Sequence, residues 1–330
     1  MSQSELTLGP KAIESLSSPS SPAWRGFSIE PLDVWLFRDG RPFDAGSDVQ
    51  ARSLRMPSPF AVFGALRTFF LLRSGISPKD FHERRLPPES QAQRWGEPGP
   101  FPGDFQMRGP FWCKEGMLYF PAPADLVEDS EGKLHLLTLL PTQRLLAHTN
   151  LPSPYHLPWA KTPEPIKSLS GRYISQAEFK RYLEGTLAGA PTKEVLRTDH
   201  DFFDTEVRTG IKLSDSRTAK EGFFYQVEYL RPKAGVSLYG EAHLPEGISP
   251  AEGMVFLGGE RRMGYLRWEE GNLFDEKGLL RSGAKGCIKL ILLSPAWFSR
   301  GTQPEGGWEA FMGAGWKLHG AIIPLSLIHI

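Results

Sequence analysis

FSIEPLDVWLFRDGRPFDAGSDVQARSLRMPSPFAVFGALRT, residues Phe27–Thr68, carries three signals in succession: a strand, a long polar loop and a capped helix. The strand reading rests on Phe27, Ile29, Leu32, Val34, Trp35, Leu36 and Phe37. Pro31 inside that run predicts an edge position or a bulge, because proline has no N–H to give to a ladder. The helix reading follows from four residues at their preferred places. Ser58 suits the N-cap, Pro59 the first helical position, Arg73 the last turn and Gly75 the position past the end. A helix of about four turns is expected.

The intervening stretch, Arg38 to Pro57, is far longer than the roughly 2–6 residues usual between a strand and a helix, and long loops in compact domains tend to be functional or disordered. Arg38, Arg41, Arg52 and Arg55 stand among Gly40, Gly46 and Ser47, which let backbone approach a ligand. The loop leads to a helix start at Ser58 whose free N–H groups favour anions, and phosphate is the anion this chemistry suits. A second reading stays open, in which Asp39, Asp44 and Asp48 pair with those arginines in a solvated loop. Arg67 also has two readings, since a cation inside the apolar stretch Phe60–Leu72 either reaches a phosphate or snorkels to the surface.

The 330-residue chain is long enough for about two domains, and 40% hydrophobic with 23% charged residues is ordinary globular composition. A formal net charge of +0 means that any nucleic-acid binding must use a local basic surface. Cys113 and Cys287 lie far apart in apolar surroundings, as reduced core thiols of a cytoplasmic protein would, rather than as a disulfide framework or a zinc site. Residues 1–24 are Ser/Pro-rich without a signal-peptide core and read as a disordered tail, and no run of about 18 apolar residues occurs. The last six residues, LSLIHI from Leu325, are similar to the translation of a common transposase-adaptor DNA. They are expected to be an artefact of a truncated gene, so His329 is given no chemical role.

Further along, Pro87–Gly109 is crowded with Pro and Gly and reads as a surface excursion. A hairpin is predicted from Phe111-Trp112-Cys113 through Lys114-Glu115-Gly116 to Met117–Phe120. Leu151–Pro165 reads as a Pro-rich connector, and Ser175–Glu178 as a capping box opening a short helix with Phe179, Tyr182 and Leu183 on its apolar face and Gly185 after it. Alternation around Phe223, Tyr225, Val227 and Tyr229 predicts a strand, and a β-rich run is expected over Cys287–Leu293. The loop before the first of these carries Arg208, Lys212, Arg217 and Lys220 against Glu206, Asp215 and Glu221, is modestly basic and rich in hydrogen-bonding hydroxyls, and is a candidate second RNA contact. In FLGGERRMG, paired glycines beside Arg261 and Arg262 suit a backbone-hugging turn near phosphate, or equally a plain turn with solvated arginines.

Six blocks, in order, together resemble the third-subunit family of the Cmr module of CRISPR-associated RAMP proteins: IEPLDVWLFRDGRPF, PSPFAVFGALRT, RGPFWCKEGMLYFPAPADL, RTGIKLSDSRTAKEGFFYQVEYLRP, FLGGERRMG and KLILLSPAWF. The resemblance implies an α+β chain of two ferredoxin-like (RRM-like) domains with antiparallel sheets. They would occupy about 25–200, with Pro/Gly-rich insertions, and 201–324, the latter lacking part of the family's C-terminal portion. It further implies a non-catalytic subunit of a type III-B ribonucleoprotein in antiviral defence. Such a subunit holds the 5′ repeat-derived tag of the crRNA beside the large polymerase-like subunit and the first backbone RAMP subunit. On this reading Arg38, Gly40, Arg41, Gly46, Ser47, Ser58, Arg67, Arg208, Lys212, Arg217, Arg261 and Arg262 are the candidate RNA-binding residues, and no cofactor, metal or small-molecule substrate is expected. Lys220-Glu221-Gly222-Phe223 departs from the usual RRM signature, which favours core or interface roles for the neighbouring aromatic rings over base stacking.

The catalytic alternative is a RAMP-type RNA-processing endonuclease or a metal-dependent phosphohydrolase. Its best residues are His200 and Asp201 in DHDFFD, Asp199–Asp204, but metal chemistry there would need further histidines, and His148, His156 and His243 lie in unconnected contexts. No phosphate-loop, H-x-x-x-H or C-x-x-C motif is present. For metal-free cleavage by general acid/base side chains, Tyr155-His156 is the single local pair, in Pro-rich surroundings.

Overall fold

The computed structural model describes residues 24–39, 50–87, 94–99, 103–141, 156–213, 219–279, 288–296, 298, 304–313 and 322. Of the expectations above, residues 1–23, Gly40, Arg41, Gly46, Ser47, Arg217, Cys287 and the terminal LSLIHI lie outside the described residues, as does the side chain of Lys212.

The strands are β1 (Arg25–Pro31), β2 (Gln50–Ala51), β3 (Gln106–Lys114), β4 (Met117–Pro121), β5 (Leu126–Asp129), β6 (Leu134–Pro141), β7 (His156–Ala160), β8 (Ile166–Ser168), β9 (Arg172–Ser175), β10 (Leu196–Thr198), β11 (Phe203–Leu213), β12 (Ala219–Pro232), β13 (Val236–His243), β14 (Gly253–Phe256) and β15 (Met263–Trp268). The helices are α1 (Pro59–Arg73), α2 (Pro78–His82), α3 (Gln176–Leu183), α4 (Thr192–Val195), α5 (Glu276–Leu279) and α6 (Gly307–Met312). This is a mixed α+β fold built on an eight-stranded sheet, in the order β10-β9-β4-β3-β13-β1-β15-β14, whose pairings are all antiparallel. A three-stranded sheet (β11-β12-β2) and a four-stranded one (β7-β6-β5-β8) complete it. The main sheet takes strands from both sides of residue 200, so β1 and α1 of the N-terminal range combine with β13, β14 and β15 of the later one.

Burial on both faces of that sheet follows from strand periodicity. In β3, Trp112 points into one core while Phe111 and Cys113 point into the other, and Tyr119 against Leu118 and Phe120 divides β4 the same way. The first core is covered by α1 through Val62, Phe63, Leu66, Phe69 and Phe70, at helical spacing. The second is covered by α3 through Phe179 and Tyr182. Cys113 is a buried thiol whose pKa is pushed up by that burial.

Local signals behave as their chemistry dictates. Ser58 Oγ accepts the N–H of Ala61 at 3.2 Å, Pro59 stands at the start of α1, and Gly75 follows it with φ +73°. Ser175 Oγ likewise accepts the N–H of Glu178 at the start of α3. The predicted hairpin turns through Glu115 and Gly116, both at positive φ, as a two-residue hairpin loop requires.

Four expectations are corrected. β1 is an interior strand between β13 and β15, and Pro31 is tolerated because it is the last residue, where little of the ladder remains to lose. Pro87–Gly109 is not merely a surface excursion: Trp95 and Phe105 are both 1% exposed in the first core, with Trp95 stacked on Phe70 at 5.1 Å. Within Leu151–Pro165, residues His156–Ala160 form β7 and pair with β6. Residues 288–293 form no strand. Instead, Ile291 and Leu293 pack against the second core, and Lys289 reaches Asp125, which accepts the Tyr182 hydroxyl at 2.7 Å.

Trp95→Ala is therefore expected to cost about 3–5 kcal/mol, the range for truncating a buried large aromatic, whereas a surface-loop residue would change stability by less than about 0.5 kcal/mol. Urea unfolding followed by circular dichroism checks this. Ser58→Ala should cost about 1 kcal/mol through loss of the cap, read in the same experiment.

Candidate nucleic-acid interface

After β1 the chain leaves the main sheet and alternates between two cores. Trp35 and Phe37 enter the first, whereas Val34 and Leu36 join Ala51, Val227 and Tyr229 in a small third core. Trp35 and Leu230 exchange backbone hydrogen bonds at 2.8 Å, and the N–H of Leu54 donates to Phe37 O at 2.7 Å. Arg38 bridges Ser53. The two limbs of the long loop are thus pinned to each other and to β12.

A third segment is fastened to the same place. The N–H of Gly259 donates to Leu36 O at 2.7 Å, and Gly258 has φ +89°. A Cβ on Gly258 would sit 2.5 Å from the Leu36 carbonyl oxygen. Gly258 of FLGGERRMG is required by this close approach of the protein's own backbone, while a Cβ at Gly259 would press on the Leu36 side chain at 3.1 Å. The turn then presents Arg261, exposed and at φ +52°, and Arg262.

Two of the candidate residues converge on one ring. The guanidinium groups of Arg208 and Arg262 lie 4.9 Å and 4.7 Å from the centroid of Tyr229. Asp33 faces Arg208 at 3.7 Å and both Arg231 and Arg262 at 3.4 Å. Glu206 accepts from Arg208 at 2.6 Å and from Arg231, while Glu260 accepts from Arg262 at 3.4 Å and from the Tyr229 hydroxyl. Hydrogen bonds from Arg208 and Arg231 hold Glu206 below the usual carboxylate range. The Tyr229 hydroxyl is raised by burial and then by Glu260. Three arginines are therefore matched by three carboxylates, and the resting cluster is close to neutral. Its arginines remain half-exposed or partly so, and each guanidinium has more N–H donors than these carboxylates use.

Other candidates lie elsewhere. Arg67 donates to the carbonyls of Glu97 and Gly99, both at 2.9 Å, and packs over Phe63 and Phe81. Burial lowers its pKa. It ties α1 to the segment after α2. Ser58 is occupied as a helix cap. Arg55, from the same loop, is held by Glu228 at 3.0 Å and Asp199 at 3.5 Å.

Glu206 pairs with Arg208, as the sequence sets them against each other, but both lie on strand β11 rather than in a loop, and Asp33, Tyr229 and Arg231 were missed as partners in the site. The β11–β12 register sets Glu206 opposite Tyr229 and Asp204 opposite Arg231, and the backbone pairing of Trp35 with Leu230 brings Asp33 to them; neither is reported by sequence spacing. Tyr229 is in the third core, and Tyr225 is partly exposed over Gly210.

The DHDFFD carboxylates have structural work. Asp199 accepts the Tyr173 hydroxyl at 2.9 Å, Asp201 accepts Thr198 N–H at 2.7 Å, and Asp204 pairs with Lys233 at 3.3 Å. Among the described residues no group of three or more His, Cys, Asp or Glu side chains is placed to hold a metal ion, and no helix is long and apolar enough to cross a membrane.

Residues 27–324 match the family of the CRISPR-associated protein Cas_Cmr3. No curated protein matches the chain. Solved structures that are similar in part include two Cmr complexes. In a cryo-EM structure of the type III-B Cmr-beta bound to cognate target RNA and AMPPnP, a chain is 17% identical with a TM-score of 0.44, over 75% of this chain and 64% of that one. In one bound to cognate target RNA alone the identity is 18% and the TM-score 0.42, over 75% and 65%. The chain thus spans just under two-thirds of the length of these relatives. With a match that runs from the first strand to near the end, the chain belongs to the Cas_Cmr3 family of CRISPR-associated proteins.

Proposed function

We propose that the chain is a non-catalytic, cytoplasmic, crRNA-binding and scaffolding subunit of a type III-B CRISPR effector. It holds the 5′ tag between the large polymerase-like subunit and the first backbone RAMP subunit. The observation that carries the reading is the meeting of Val34–Arg38, Arg208 on β11, Arg231 on β12 and the Gly258–Arg262 turn around the third core. A short RNA end needs a few phosphate contacts and donors in fixed directions, which a guanidinium cluster on rigid strands supplies without a strongly basic protein. Asp33, Glu206 and Glu260 pre-orient the arginines, and an RNA phosphate competes with them for the same N–H groups.

Two ferredoxin-like units meeting edge to edge at β3 and β13 are part of this proposal. What supports them is the division of the sheet into β10-β9-β4-β3 and β13-β1-β15-β14. The helices α1 and α3 lie on opposite faces, α3 over β4 and β9 of the first half and α1 over β14 of the second and β3 at the junction.

Fluorescence anisotropy with a repeat-tag RNA tests the site. Arg208→Ala with Arg262→Ala should weaken binding at least about tenfold and reduce the salt slope by roughly 1.4, about 0.7 for each lost single-strand phosphate contact. Neutralising Lys167 or Arg84, which are remote in the fold, should change neither; equal effects would remove the cluster from the site. Asp33→Asn should tighten binding severalfold, because it releases three arginines from a competing carboxylate. An unchanged affinity would make those arginines structural. Incubation with repeat RNA, with and without divalent metal, checks the non-catalytic part, and cleavage abolished by His200→Ala would overturn it.

A further inference from the structure

β14 ends the eight-stranded sheet, and its outer side has no partner strand among the described residues. Natural sheets blunt such edges with Lys, Pro, bulges or covering elements. Gly253-Met254-Val255-Phe256 has neither charge nor proline and pairs with β15 without a register shift. β10, at the opposite edge, carries Arg197.

Along the bare edge runs a groove of about 220 Å³, walled by Thr68, Phe69, Leu72 and Arg73 of α1 and by β14 itself. Leu72, Met254 and Phe256 are 46%, 58% and 51% exposed. On the side away from the first core, Met254 faces Tyr265 and Phe256 faces Met263 across the strand pair, extending the apolar surface. A strand laid against β14 therefore meets apolar walls above and below. Arg73 is the cation in that wall. It lies 5.7 Å from the Phe69 ring and has no carboxylate partner among the described residues.

We propose that β14 is a strand-addition site: an extended apolar segment of a neighbouring protein subunit, bearing a carboxylate that meets Arg73, adds to the sheet beside α1. Main-chain hydrogen bonds would supply affinity, and the alternating side chains with the single charge would supply specificity. Nucleic acid is disfavoured, since the groove offers one cation where a backbone needs several. The proposal rests on the reading of the chain as a subunit of a larger assembly, and its test is independent of tag binding.

Phe256 is replaced by the photoreactive p-benzoylphenylalanine in the complete assembly with its guide RNA, and hydrogen exchange of residues 253–256 is compared between free chain and assembly. The expected result is a cross-link to an acid-containing segment of a protein neighbour, with the outward amides exchanging on the order of 100-fold more slowly in the assembly. Arg73→Gln should lower retention of the subunit about tenfold while the free chain's affinity for tag RNA stays within about twofold. Cross-linking to RNA or to a second copy of this chain, or unchanged exchange, would overturn the proposal. Loss of tag binding alongside the expected cross-link would count against the RNA reading and leave this one standing.

Discussion

β1 is caught between two strands that come more than two hundred residues later, with Phe27 opposite Gly240 on one side and Trp268 on the other. This non-local pairing is the constraint on which everything else hangs. It brings the start of the chain to β13 and β15, carries α1 onto the first core, and sends Val34–Phe37 off toward β12. Pairings of this range are entropically costly to form and become favourable when large apolar surfaces close with them. The closure here is aromatic: Trp112 lies within 6.2 Å of Trp35 and of Phe202 and 5.5 Å from Phe203, and each such pair contributes about 0.5–1.5 kcal/mol beyond its buried area.

The candidate interface is a product of that arrangement. Val34 and Leu36 are plain core residues, yet their packing with Val227 and Tyr229 is what sets Asp33 facing three arginines from three different segments. A cluster so nearly neutral fits a protein with no overall positive charge. Its selectivity would come from directed donors on rigid strands rather than from long-range attraction. Surface ion pairs of this kind contribute little to stability, so exchanging a carboxylate for a phosphate costs the fold little.

How far the site was legible can be followed residue by residue. Arg208 and Arg262 stood out because cations beside hydroxyls and glycines are a local pattern, and both do converge. The significance of the glycines was only half visible: Gly258 and Gly259 do allow close backbone approach, but to Leu36. Arg67 looked the same in sequence as the other arginines and turned out to clasp the Glu97 and Gly99 carbonyls, because which way a long side chain leans is decided by neighbours thirty residues away. Glu206 was visible as a counter-charge two residues from Arg208, whereas Asp33 and Arg231 carried no signal, since their meeting depends on the non-local pairing of Trp35 with Leu230.

Local chemistry alone determined the capped helices at Ser58 and Ser175 and the Glu115-Gly116 hairpin turn, for these depend on hydrogen bonds and dihedral preferences within a few residues, and alternation marked β12 as a strand without naming its partners. The tertiary structure decided that Pro31 ends an interior strand, that Trp95 and Phe105 are buried despite their Pro/Gly-rich surroundings, and that the apolar run after Cys287 packs without pairing. It also decided that three sequence-distant arginines share one aspartate. The physical reason is the same in each case: burial and strand pairing are settled by surfaces that meet only after the chain has closed on itself, and no window of local sequence contains both of them.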